Sequence, residues 1–132
     1  MSFINEISNI SVFLVEPSNA QAHFIQARLG ELGVQRIRVF HEGAAALAAM
    51  PEFPPPDLVI SAMYLKDMTG AQLVEKIRSD EVCKDVAFIL VSSETKHRYL
   101  DPVRQAGASA ILPKPFEMQQ LKTALSATLD YL

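Results

Sequence analysis

Short apolar runs alternate with longer segments of helical period along the chain. The apolar runs cover residues 11–15, 37–40, 58–60, 87–91 and 109–112. A continuous apolar run is typical of a strand whose sheet is covered by helices on both faces. The alternation of strands and helices therefore predicts an α/β domain with a parallel sheet, right-handed crossovers and helices on both faces.

Segments of helical period lie between these runs. They cover residues 19–32, 43–50, 70–79 and 116 to the chain end. Ser18 and Thr69 are suited to cap the first and third of these helices, and Gly33 stands where a C′ glycine belongs. The last helix carries a single apolar stripe, formed by Leu121, Leu125, Leu129 and Leu132.

The fourth helix is harder to place, because Pro102 would lie inside a helix that starts near Glu94. A proline in a helix interior costs about 3 kcal/mol. We therefore expect a short helix from Pro102 to Ala106, with Asp101 as its N-cap and Gly107 at its end. Residues 94–100 are then expected to be irregular.

The chain divides into an N-terminal extension, residues 1–10, and one domain, residues 11–132. The extension is either a short amphipathic helix or a frayed terminus, since helical spacing relates Phe3, Ile4, Ile7 and Ile10. The proline-rich stretch at residues 51–56 is typical of a stiff surface loop. Because the chain ends on an apolar residue, we expect it to be a fragment of a longer protein.

Composition excludes several classes of protein. With 132 residues and a net charge of −3, the chain fits one domain and lacks the basic excess of a nucleic-acid-binding protein. No apolar run approaches the roughly 20 residues that span a bilayer, and the N-terminus does not resemble a signal peptide. The single cysteine, Cys83, cannot form an intrachain disulfide, so a reducing cytoplasm is the expected location.

Chemistry is expected at the carboxyl ends of the strands, where open parallel sheets bind their ligands. The residue pairs at these ends are Glu16-Pro17, Ser61-Ala62, Ser92-Ser93 and Lys114-Pro115. No zinc-ligand spacing relates His23, His41 and His97. A flavin or other small-molecule site is a further hypothesis, but Pro17-Ser18-Asn19 replaces the glycine-rich phosphate loop that such a site would use.

Four segments at these strand ends resemble the receiver domains of bacterial two-component response regulators. They are FLVEPSNAQ, PDLVISAMYLKDMTG, ILVSSE and GASAILPKPF, in this order along residues 11–132. The resemblance implies a flavodoxin-like (βα)5 fold with strand order 2-1-3-4-5. It also implies a pocket that carries an acid pair, an acceptor Asp, a Ser or Thr, an aromatic switch residue and a Lys before a cis proline.

Three of these pocket positions depart from the family pattern. Glu16, Ser92, Lys114 and Pro115 match, and the Lys114-Pro115 bond is expected to be cis. By contrast, Pro17 replaces the second acid, Ala62 the acceptor Asp and Ile111 the aromatic residue. The resemblance therefore implies a pseudo-receiver, without enzymatic activity, metal or cofactor.

Other groups could take over parts of the pocket. Asp57 lies at the opposite end of its strand from Ala62, about 16 Å away at ~3.3 Å per residue, and Asp67 is in the following loop. Neither is expected to accept a phosphoryl group. Glu16 and Lys114 are expected to form a buried or half-buried ion pair.

The resemblance also implies how the domain meets its partners. Receivers commonly use the fourth helix, fifth strand and fifth helix, a surface that here includes Tyr99, Arg104, Ile111, Lys122 and Tyr131. The expected partner is another signalling protein, a second receiver or an output domain, and a homodimer through this surface stays open. An ordinary receiver disabled by mutation at Ala62 is an alternative, although one change would not explain Pro17 and Ile111.

Overall fold

The computed structural model describes residues 7–52 and 54–129. The expectations for Phe3, Ile4, Tyr131 and Leu132 fall outside the described residues. In chain order the elements are β1 (Ser11–Val15), α1 (Asn19–Glu31), β2 (Arg36–Phe40), α2 (Gly43–Ala49), β3 (Leu58–Ala62), α3 (Gly70–Arg78), β4 (Ala87–Ser92), α4 (His97–Ala106), β5 (Ala110–Pro113) and α5 (Met118–Thr128).

The strands form a parallel sheet in the order β2-β1-β3-β4-β5. The predicted flavodoxin-like fold is therefore confirmed. Val15 pairs with Ser61, and Ala62 pairs with Val91. This register brings the carboxyl ends of β1, β3 and β4 to one edge, where the strand order reverses between β1 and β3.

Each face of the sheet is covered by helices, so alternate residues of one strand enter two different cores. Leu14 packs with Ile25 of α1 and Leu121 of α5. Its neighbour Val15 enters the core on the other face, where it packs with Leu73 of α3. Residues of α2 and α4 belong to the same core. The three central strands, β1, β3 and β4, are thus apolar in their middle, and their polar residues lie at or near the strand ends.

The end of the N-terminal extension belongs to the first of these cores. Ile7 and Ile10 are buried there, and the amide of Ile10 donates to the carbonyl of Ile7 at 3.3 Å. Residues 7–10 are therefore packed on the domain, which the hypothesis of a frayed terminus did not anticipate for this part of the extension.

Local capping explains where two helices begin. The Ser18 hydroxyl accepts from the amide of Gln21, and Thr69 forms a reciprocal capping box with Gln72. Gly33 follows α1 with a φ of 103°, a conformation that glycine adopts without steric cost. All three sequence-based assignments are confirmed.

The start predicted for the fourth helix was wrong: α4 begins at His97, so Asp101 and Pro102 lie inside it and Asp101 is not the N-cap. The predicted end is confirmed, because the helix stops at Ala106 and Gly107 follows in the left-handed conformation. Lys96 is its N-cap, and the amides of Tyr99 and Leu100 both donate to the Lys96 carbonyl. Pro102 removes one backbone donor, but the longer helix buries Leu100 together with Val103 against the sheet. This burial of apolar surface offsets the lost hydrogen bond.

The fifth helix is shorter than the apolar stripe predicted. It begins at Met118, after a reciprocal capping box between Glu117 and Gln120, and ends at Thr128. Leu129 is buried as predicted, but its backbone is extended. Within the described residues, no helix has the length and apolar character that a bilayer crossing requires.

Candidate functional site

The carboxyl ends of β1, β3, β4 and β5 enclose a cavity of about 320 Å³, which we call the strand-end cavity. It brings together four of the predicted pocket residues, Glu16, Ala62, Ser92 and Lys114. The remaining lining residues are Met63, Tyr64, Val91, Ser93 and Glu94. The other three predicted positions, Pro17, Ile111 and Pro115, do not line this cavity.

Ala62 ends β3 at the floor of the strand-end cavity. Its residue surface is 9% exposed, and its side chain is a single methyl group without a nucleophilic atom. The preceding residue cannot substitute for it, because Ser61 is fully buried and its hydroxyl donates to the Ala62 carbonyl at 2.9 Å. The end of β3 therefore offers the cavity no oxygen nucleophile from a side chain.

Glu16 is held firmly although it is buried, with 4% of its surface exposed. Its carboxylate Oε2 accepts from the amide of Ser18 at 2.7 Å, and its own amide donates to the carbonyl of Phe40. A ring nitrogen of His41 lies 2.9 Å from the Glu16 carbonyl oxygen. These contacts fix the turn between β1 and α1.

The predicted ion pair between Glu16 and Lys114 is absent from the described part of the chain, where the two side chains line one cavity without approaching to within 4.0 Å. Glu16 bonds instead to an amide two residues away. Such a local bond requires little additional ordering of the chain, whereas a pair with Lys114 would also require the half-buried lysine ammonium to lose more of its hydration.

Ser92 and Lys114 are positioned by adjacent strands. The Ser92 hydroxyl donates to Met63 Sδ at 3.2 Å and accepts from the amide of Glu94 at 3.0 Å. The amide of Lys114 donates to the carbonyl of Ser92, and the Lys114-Pro115 bond is cis, as predicted. The half-buried Lys114 side chain thus faces a cavity in which the Ser92 hydroxyl is already occupied in local bonds.

The other nearby acids have structural partners. Asp67 accepts from the amides of Gly43 and Ala44 at the start of α2, and these bonds lower its pKa. Asp57, directly before β3, accepts from the amide of Ser11 at the amino end of the sheet, the end opposite Ala62, as predicted. Neither residue lines the strand-end cavity.

Glu94 does line the cavity, but its carboxylate accepts hydrogen bonds from backbone amides. Its Oε2 accepts from the amides of Thr95 and Lys96, at 2.9 and 3.0 Å, and the Lys96 bond is the main cause of its lowered pKa. Glu94 therefore fixes the loop that leads into α4.

The cavity does not fit the magnesium site that the family uses. Magnesium needs several oxygen ligands in near-octahedral geometry, whereas Glu16 and Glu94 each bond to backbone amides, and Pro17 and Ala62 supply no carboxylate. Across residues 7–52 and 54–129, no three His, Cys, Asp or Glu side chains lie grouped as metal ligands.

Sequence reasoning missed Met63 and Tyr64, which follow β3 directly and line the cavity. The turn that carries them is held by the amide of Gly70, which donates to the Met63 carbonyl at 2.8 Å. A Cβ atom on Gly70 would lie 2.8 Å from the Ala62 carbonyl oxygen, so this close approach requires glycine. Their place in the sequence, directly after Ala62, was the available signal.

The described residues of the predicted interaction surface lie on α4, β5 and α5. Tyr99 lies on the side of α4 that meets the start of α3, and Arg104 pairs with Asp101 at 2.9 Å. Ile111 lies on β5, which is an edge strand, and Lys122 is exposed on α5. Tyr131 is outside the described residues.

The fold and this strand-end pocket define a receiver-type domain. The family model for the response regulator receiver domain matches residues 12–126, so the chain belongs to this family and is a receiver domain of two-component signalling.

Similar proteins and structures agree. A probable chemotaxis protein CheY from Rhizobium etli is 27% identical, with 93% of this chain and 95% of that protein covered. A putative response regulator from Chloroflexus aurantiacus shares the fold with a TM-score of 0.85 at 22% identity, covering 92% and 98% of the two chains. The receiver domain of a sensor histidine kinase from Pseudomonas aeruginosa, solved with magnesium in its active-site cleft, has a TM-score of 0.82 at 24% identity and covers the same shares.

Proposed function

We propose that this receiver domain does not accept a phosphoryl group and acts as a protein-interaction module in a two-component phosphorelay. The observation that carries the proposal is Ala62, a methyl side chain at the floor of the strand-end cavity. An aspartyl phosphate forms only when a carboxylate oxygen attacks phosphorus. Ala62 has no such oxygen, so the domain has no phosphotransfer activity of its own.

The surrounding residues support the same proposal. Glu16, Asp67 and Glu94 each use their carboxylates to bind backbone amides, and none is placed to replace both the acceptor and the metal ligands. Lys114 still faces the cavity and can neutralise an anion. Binding alone does not transfer a phosphoryl group.

A domain of this kind signals through its surface. Without covalent phosphorylation, no bond forms in the pocket that would favour one conformation of the domain over another. The information then lies in which protein the surface binds: another signalling protein, a second receiver or an output domain. A homodimer through α4, β5 and α5 is a second form of the same proposal.

Incubation with acetyl phosphate and Mg²⁺, followed by intact mass measurement, tests the proposal. We expect an unchanged mass for the natural chain and for Ala62→Asp, because Pro17 still lacks the second acid. The double variant Pro17→Asp/Ala62→Asp should gain one acid-labile phosphoryl group and serves as the matched control. Phosphorylation of the natural chain would refute the proposal, and phosphorylation of Ala62→Asp alone would favour an ordinary receiver disabled at one position.

A further inference from the structure

A series of hydrogen bonds connects the turn after β3 to the start of α4. The Ser92 hydroxyl, at the end of β4, donates to Met63 Sδ at 3.2 Å and accepts from the amide of Glu94 at 3.0 Å. The Glu94 carboxylate in turn accepts from the amides of Thr95 and Lys96, and Lys96 is the N-cap of α4. We call these contacts, from Met63 to Lys96, the Met63 network.

Both ends of the Met63 network are anchored to a helix. At one end, the Met63 carbonyl accepts from the amide of Gly70, the first residue of α3, at 2.8 Å. At the other end, the Lys96 carbonyl accepts from the amides of Tyr99 and Leu100 in α4. The network therefore links the start of α3 to the start of α4 through side chains that line the strand-end cavity.

Ser92 is the residue on which the Met63 network depends. A hydroxyl group carries a single proton, so Ser92 cannot donate elsewhere while it donates to the Met63 sulfur. This bond fixes the rotation of the hydroxyl and directs an oxygen lone pair towards the amide of Glu94. Without the sulfur, no other group of the network would hold the hydroxyl in this rotation. The position of the loop after β4 therefore depends on a side chain from the turn after β3.

Met68 lies in the same turn as Met63 and provides a comparison. Both side chains are half-buried, and both pack against the core that contains α3. The Met68 sulfur, however, lies against Gly43 at the start of α2, where a Cβ atom on the glycine would collide with it. The two methionines thus have the same size and similar burial, and they differ in what the sulfur contacts.

We propose that Met63 is a positioning residue for the start of α4. Its sulfur holds the Ser92 hydroxyl, and this contact keeps the loop after β4 and the first turn of α4 in one arrangement. That turn carries the Tyr99 ring, which is 41% exposed. The inference rests on the proposed function, because a surface that binds a partner without being switched loses less conformational entropy on binding when it is already fixed.

Amide hydrogen exchange of the ¹⁵N-labelled domain tests this role. Met63→Leu keeps most of the volume and removes the acceptor, and it should raise the exchange rates of the Thr95 and Lys96 amides about three- to tenfold, the range of one hydrogen bond. Met63→Gln supplies an acceptor on a chain of similar length and should keep the rates within about twofold of the natural chain. Met68→Leu is the matched control and should leave them unchanged.

A double-mutant cycle separates the hydrogen bond from ordinary packing. Ser92→Ala interrupts the network at its centre and should raise the same exchange rates at least as much as Met63→Leu. Adding Met63→Leu to Ser92→Ala should change the rates by less than about twofold, because the sulfur then has no hydroxyl to hold. Effects of the two substitutions that simply multiply would show that Met63 acts through packing alone, and the positioning role would be refuted.

Two further results would overturn the proposal. They are unchanged exchange at Thr95 and Lys96 in Met63→Leu, and an equal rise in Met63→Leu and Met63→Gln. The dispersed amide spectrum of each variant verifies that it is folded before rates are compared. A mass gain of the natural chain with acetyl phosphate would refute the proposed function separately, since exchange in the unmodified domain does not depend on phosphorylation.

Discussion

At the scale of single residues, the pocket could be predicted from the sequence where a position is defined by strand register. Glu16, Ala62, Ser92 and Lys114 each end a strand or follow one directly, so a correct sheet brings them together. The ion pair between Glu16 and Lys114 could not be predicted in this way. Its absence depends on a bond between the Glu16 carboxylate and the amide of Ser18, which is decided by turn geometry.

Glu16 and Lys114 should contribute to stability independently. Glu16→Ala removes the acceptor for the Ser18 amide and should lower the free energy of unfolding by about 1–3 kcal/mol. Lys114→Met removes a half-buried ammonium without an acidic partner and should change it by no more than about 0.5 kcal/mol. Urea unfolding of both variants and the double variant measures these changes. Additivity within about 0.5 kcal/mol is expected, and a larger coupling would show that the ion pair forms.

Magnesium should not stabilise the domain. A ligand raises the melting temperature only in proportion to its binding to the folded state, and Glu16 and Glu94 have bonded carboxylates. Thermal unfolding in millimolar MgCl₂ should match that in NaCl of equal ionic strength. Pro17→Asp/Ala62→Asp should show a saturable rise. The same rise in the natural chain would show that the strand-end cavity still binds the metal without the two missing acids.

At the scale of elements, the helix periods and caps predicted most boundaries, and long-range packing decided the rest. The start of α4 is the clearest case, because the local cost of Pro102 argued for a short helix while burial of Leu100 favoured a longer one. The turn after β3 is a second feature that long-range packing decided. Gly70 permits its close approach to Ala62, and this contact between two segments has no periodic signal in the sequence.

Asp67 should make the start of α2 sensitive to acid. Two amide bonds lower its pKa, so the folded state binds the proton less readily than the unfolded chain. Its stabilising contribution is therefore present above the ordinary aspartate range and is lost as pH falls through the folded-state pKa. The melting temperature of Asp67→Asn should be lower than that of the natural chain at pH 7, with the difference shrinking below about pH 4. Glu75→Gln, on α3, controls for the change in net charge and should show no such convergence.

Arg78, the last residue of α3, links that helix to the loop before β4 and to the end of α4. Its guanidinium donates to the carbonyls of Gly107, Lys84 and Val86, and partial burial lowers its pKa. Lysine cannot reproduce this planar fork. Arg78→Lys should therefore cost about 1–3 kcal/mol in urea unfolding. Arg104→Lys, which alters one exposed pair with Asp101, should cost no more than about 1 kcal/mol. Equal effects of the two substitutions would contradict the role assigned to Arg78.

At the scale of the whole molecule, the sheet has the strand order of the receiver fold, while the resemblance of the sequence to the family implies replacements at three positions of the pocket. The two apolar cores on either side of the sheet, the strand order and the cis bond before Pro115 follow the family pattern. By that resemblance, Pro17 and Ala62 occupy positions where the family carries acids, and Ile111 occupies the position of an aromatic residue on β5. Under the proposed function, the fold presents a fixed surface on a scaffold whose relatives include chemotaxis proteins.

The domain should consequently keep a single conformation in the presence of a phosphoryl analogue. A ligand shifts an equilibrium between two conformations only by its difference in affinity for them, and beryllofluoride needs an acceptor carboxylate that Ala62 does not provide. The ¹⁵N amide spectrum of the natural chain should therefore be unchanged by beryllofluoride with Mg²⁺. Pro17→Asp/Ala62→Asp should show saturable shifts at Ser92, Ser93 and Lys114, because its pocket regains the acids. Shifts in the natural chain that extended from the pocket to α4 and β5 would mean that this surface is still switched from the cavity, and the interaction would then have to be described as regulated.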